Sequence, residues 1–94
     1  MDLIWSARAK RDLKEIGIYI AKGNRTAAVA IVKRIVAVAE SLVEHPLMGH
    51  AGRVPDTREL VVSGVSYTVV YQAHRRGIRV VAVMHTAREW PDSF

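Results

Sequence analysis

The sequence predicts an α+β domain, with two N-terminal helices packed on one face of a small, mainly antiparallel sheet in the order β-α-α-β-β-β. Three observations lead there. Apolar residues recur twice at helical spacing in the first half of the chain. In the second half they alternate or run on continuously, as strands do. Between the halves, His45-Pro46 and a glycine-rich segment break the pattern. With 94 residues, half of them hydrophobic, residues 1–94 make a single domain with one core.

Leu3 to Trp5 reads as a short strand, and Ser6 is placed to cap a helix of about four turns. Leu13, Ile16 and Ile20 share one face of that helix, with Ala9 and Tyr19 at its margins. Gly23 supplies a stop, and Asn24 or Thr26 a cap for a second helix over Ala27 to Glu44. There Ala28, Ile31, Ile35, Val38 and Leu42 make one stripe, while Val29, Val32, Val36 and Val43 carry the apolar surface around the cylinder. Such a helix is either buried on all sides or offers a docking groove to a partner. After the loop LMGHAGRVPD, three strands follow. Arg58 to Val62 is short. Val65 to Gln72 sets Val65, Tyr67, Val69 and Tyr71 on one face, and Ile78 to Met84 is apolar on both faces. HRRG, from His74 to Gly77, forms a basic hairpin tip, with glycine available for a positive φ.

Fourteen Lys and Arg, ten of them arginine, against nine Asp and Glu give a net charge of +5, which favours an anionic partner: RNA, DNA or an acidic protein segment. There is no cysteine, so disulfide and zinc-thiolate frameworks are excluded. His45, His50, His74 and His85 lie in different elements without metal-ligand spacing, and neither a metal nor another cofactor is expected. Gly49-His50-Ala51-Gly52-Arg53 lacks the lysine and context of a phosphate-binding loop and reads as a plain loop. Asp2 and the short run Leu3-Ile4-Trp5 do not resemble a secretory signal. Lys33, Arg34 and Glu40 interrupt the most apolar segment, so a cytoplasmic protein without a membrane span is expected. The mouth formed by the sheet, the loop 49–56 and the C-terminal tail should collect Arg53, Arg58 and Arg88. Strand alternation puts His85 on one face with Val81 and Val83, where a histidine is either a hydrogen-bonded packing residue or a proton carrier. Trp90-Pro91 is expected to clamp the tail onto the core, with the proline stopping the last strand.

Five segments in order, WSARAKRDLKEIGIYIA, ESLVEHPLMG, GRVPDTRELVV, YTVVYQ and VAVMHTAREWP, resemble the RelE/ParE superfamily, the toxins of bacterial type II toxin-antitoxin modules. The resemblance spans nearly the whole chain. It implies a small toxin fold wrapped by the C-terminal segment of a cognate antitoxin, in a toxin-antitoxin hetero-oligomer. RelE-like members cut messenger RNA on the ribosome without a metal, which requires a base, an acid and cations for the phosphate. ParE-like members bind and poison DNA gyrase, and are associated with growth inhibition and plasmid stabilisation.

YTVVYQ resembles a RelE strand of pattern G-Y-R-L-V-Y-Q, but Thr68 stands in place of the arginine. Glu59 and Val61 stand in place of two lysines, and Phe94 falls at or near a tyrosine position. Arg88-Glu89 matches. A second nuclease set, as found in other members, would use His85, Arg88, Arg58 and Glu59. The ending H-x-A-R-x-W-P resembles ParE-like members more closely. The resemblance therefore implies a gyrase-binding toxin with no catalytic set and with Arg53, Arg58 and Arg88 facing the target, the alternative being a ribosome-dependent endoribonuclease. The second helix would present Val29, Val32 and Val36 to the antitoxin.

Overall fold

The computed structural model describes residues 2–87 and 90–94. The chain runs through β1 (Asp2–Trp5), α1 (Ala7–Ala21), α2 (Arg25–Ser41), β2 (His50–Ala51), β3 (Arg58–Val61), β4 (Tyr67–His74) and β5 (Gly77–His85). The sheet order is β1-β5-β4-β3-β2. β1 lies parallel to β5, and every other pair is antiparallel. The α+β architecture is as the sequence predicts, with one short edge strand, β2, added inside the segment read as a plain loop.

Both helices start at side-chain caps. Ser6 Oγ accepts the Ala9 N–H, and Asn24 Oδ1 accepts the Ala27 N–H, each at 3.0 Å. α1 ends at Lys22 in a right-handed conformation, so Gly23 closes it without the left-handed turn that a glycine permits. α2 ends at Ser41, earlier than the apolar pattern predicts. Leu42 turns in a tightened last turn, with its N–H donating to the Ala39 carbonyl, and goes on into the core. The helices bury Ala9, Ile35, Ala39 and Leu42 against Val62, Val69, Tyr71, Ile78, Val80 and Val83 of the sheet, and this is the main core.

The pairing of β4 with β5 skips Val81: Val70 faces Ala82, and Tyr71 faces Val80. The extra residue is a β-bulge. It puts Val81 beside Ala82 and Met84 on the outer face, while Val80 and Val83 keep to the helix side. His85 therefore shares a face with Val83 but not with Val81, a correction to simple alternation. The bulge also turns two successive carbonyls toward the edge that β1 leaves open beyond Trp5. Ser6 answers both, its N–H donating to Val80 O at 2.9 Å and its Oγ to Val81 O at 3.0 Å. The Asp12 carboxylate then accepts the Val83 N–H at 3.0 Å. Ser6 and Asp12 thus satisfy strand groups that no strand reaches.

Candidate functional site

Two cations of the expected target surface, Arg53 and Arg58, lie among the described residues, and both are engaged, on different sides of the sheet. β3 pairs Arg58 with Tyr71 and Glu59 with Val70. As neighbours on one strand, Arg58 and Glu59 point to opposite sides of the sheet. Glu59 is buried on the outer side, where its carboxylate accepts the Arg53 backbone N–H at 2.8 Å and pairs with the Arg53 guanidinium at 3.3 Å. That guanidinium lies 3.8 Å from the ring centroid of Trp90, which packs on Val70, Val81, Ala82 and Met84. Trp90 clamps the tail as expected. Pro91 does not end the strand, however, since β5 closes at His85 and turns at Thr86-Ala87. The end of the tail returns to the first turn of α1, with Phe94 lying 4.9 Å from the Arg8 guanidinium.

Arg58 works on the other side. It donates to the Gly49 carbonyl at 2.6 Å, while the Tyr71 hydroxyl accepts the Gly49 N–H and donates to Pro46 O, both at 2.9 Å. A Cβ at Gly49 would sit 2.7 Å from that hydroxyl, so the close approach of this segment requires glycine. Arg58 is thus a clamp on the chain entering β2 and does not share a mouth with Arg53. Arg88, the third residue of the expected set, lies outside the described residues.

At the far end of β5, His85 is exposed. Its ring meets Tyr67 edge-on at 5.4 Å, and its Nδ1 accepts the Ala87 N–H at 3.2 Å. Beside it opens a cleft of about 590 Å³ lined by Asp12, Glu15, Ile16, Tyr19, Tyr67 and Val83. Two carboxylates on its wall oppose entry of a phosphate. The nuclease set of His85, Arg58 and Glu59 is not brought together. Glu59 lies on the opposite face, and Arg58 and His85 pair with Tyr71 and Tyr67, which are about 13 Å apart at strand rise. Among the described residues, no group of His, Asp and Glu gathers to hold a metal ion. No helix there is long and apolar enough to cross a membrane.

On the helical side, α2 is not buried all round. Val29 is 54% exposed, and Val32 and Val36 line a groove of about 650 Å³ with Trp5, Leu13, Gly17, Ile18 and Ala21, bordered by Lys10 and Lys14. The sequence alone missed Asp12, whose charge reads as part of a solvated helix face, and the pairing of Arg53 with Glu59.

This topology, two helices over a mixed sheet, is shared with solved chains of a toxin-antitoxin system and of an isolated toxin. A chain of the chromosomal ParDE system from P. aeruginosa superimposes with a TM-score of 0.79 at 23% identity, covering 90% of this chain and 95% of that one. The isolated E. coli RelE toxin follows with a TM-score of 0.57 at 20% identity, covering 93% and 85%. The family model described as ParE toxin of type II toxin-antitoxin system, parDE, matches residues 3–90, and the chain belongs to that family. Two relatives agree in extent. Y4kP of Sinorhizobium fredii, which carries a toxin designation, is 40% identical over 93% of this chain and 90% of its own length. Toxin RelE2 of Caulobacter vibrioides is 33% identical over 92% and 96%.

Proposed function

We propose that this type II toxin inhibits growth by binding DNA gyrase and not by cutting RNA. The observation that carries this reading is the dispersal of the ribonuclease candidates. Glu59 is neutralised by Arg53 on the outer face, Arg58 is spent on Gly49, and His85 stands beside Asp12 and Glu15. A metal-independent ribonuclease needs its proton carriers and phosphate cations around one reacting bond. The stronger likeness of fold to the ParDE chain than to RelE supports the same choice. Target engagement is assigned to the exposed side of Arg53 and its Trp90 seat, together with Arg88, while Arg58 contributes by holding the β2 segment.

The purified toxin should stop supercoiling by gyrase and leave ribosomes translating. Cleavage of ribosome-bound messenger RNA that disappears in His85→Ala or Arg88→Ala would reverse the assignment.

The cognate antitoxin is assigned to the groove between α1 and α2. An amphipathic helix with apolar residues over Val29, Val32 and Val36 and carboxylates toward Lys10 and Lys14 matches both its lining and its charge. Val32→Asp should weaken capture by the co-expressed antitoxin at least tenfold while the free toxin stays folded. Unchanged capture by that variant would place the antitoxin elsewhere.

A further inference from the structure

The opposite end of the β4–β5 hairpin carries a basic cluster that neither the proposed target surface nor the antitoxin groove uses. Arg75 and Arg76 form the two-residue tip between His74 and Gly77, and Arg79 follows on β5, where it pairs with Gln72. Alternation from Val70 and Val80 sets Gln72, His74 and Arg79 on the outer face. His74, Arg75, Arg76 and Arg79 are all exposed. None of the three guanidinium groups has a hydrogen bond or ion pair among the described residues, whereas Arg8, Arg53 and Arg58 are all engaged.

The tip is held at its base. The Asp2 N–H donates to the Arg76 carbonyl at 2.8 Å, and β1 lies so close that a side chain at Gly77, with φ +150, would collide with the Asp2 carbonyl. Asp2 is the nearest acidic residue in the pairing, and it forms no ion pair with the three arginines.

We propose that this tip is a contact surface for the phosphate backbone of a DNA duplex. Arg76 and Arg79 are about 10 Å apart at strand rise, and their long side chains can reach neighbouring phosphates of one DNA strand. Guanidinium groups engage phosphate oxygens in pairs, and the three here are exposed at the end of the hairpin. An acidic protein segment would want an apolar seat beside the charges, as protein interfaces have. Well-formed pockets open at the α1–α2 groove, the His85 cleft and residues 45–48, away from the hairpin tip. Among the described residues around the arginines, only Ile4 offers a large exposed apolar side chain, as the partner of Arg79. Polar, strongly positive surfaces of this kind suit nucleic acid.

The test is fluorescence anisotropy of a labelled DNA duplex titrated with the toxin over a series of salt concentrations. The wild type is compared with the triple variant Arg75→Ala, Arg76→Ala, Arg79→Ala. A second triple variant, Lys22→Ala, Arg25→Ala, Lys33→Ala, removes the same charge from the helices. Thermal melting by circular dichroism checks that all three are folded. Each lost phosphate contact lowers the slope of log affinity against log salt by about 0.9, so the hairpin variant should lose roughly two to three units of slope and the helix variant clearly less. Equal losses in the two variants would overturn the proposal, as would no binding of the duplex at low salt or tighter binding of a poly-glutamate peptide than of DNA. The measurement involves neither gyrase nor antitoxin, so its failure leaves the function proposed above untouched.

Discussion

The two faces of the sheet are covered by different means. On the helix side, two capped helices close over a continuous apolar core, and the Tyr71 hydroxyl satisfies the segment beneath them. On the outer side, Val70, Val81, Ala82 and Met84 lie under a single indole, held by a half-exposed arginine and one buried carboxylate. The Trp90 Nε1 is buried there without a hydrogen-bond partner among the described residues. The difference teaches that the helix face carries most of the apolar packing, while the outer face depends on one indole and one ion pair.

Substitutions can break or sharpen that contrast. Ile35→Ala, at the centre of the helix side, should cost about 2–5 kcal/mol in urea unfolding, because the cavity has rigid walls. A loss below 1 kcal/mol would show that this face is not the one holding the fold. Tyr71→Phe should cost about 1–3 kcal/mol, since it strips a donor from Pro46 O and an acceptor from the buried Gly49 N–H. On the outer face, Glu59→Gln should cost only about 1 kcal/mol, because the Arg53 side chain is 55% exposed and the surrounding water screens the pair. Its larger effect should be on toxicity, through a loosened Arg53. A stability loss exceeding that of Ile35→Ala would erase the contrast. The smallest change is expected for His85→Ala, about 0.5 kcal/mol or less at an exposed site, with growth inhibition in cells retained.

The fold was legible because its signals are periodic and long. Leu13, Ile16, Ile35 and Val69 lie on the faces that their spacing predicts. β2 escaped notice because two residues on a sheet edge carry no period at all, and its pairing rests on β3. The target surface was less legible, for two reasons. Arg58 and Glu59 stand side by side in the sequence, but as neighbours on a strand they face opposite ways and cannot serve one reacting bond. The stacking of Arg53 on Trp90 joins residues 37 positions apart and leaves no trace in either local sequence. Asp12 was hidden differently, because its partner is a backbone N–H, which every residue but proline has.

The bulge at Val81 acts on the sheet as a frameshift acts on a message. From Gly77 to Val80 the strand is read in one phase, and from Ala82 to His85 in the other. Deleting that single valine would leave a regular strand with Val83 and His85 still on the helix side, whereas pairing Val81 into the ladder would carry Met84 under the helices and turn Val83 and His85 outward. One inserted residue thus decides which side chains the histidine end of the ribbon shows to the helices, while the arginine end keeps its own phase.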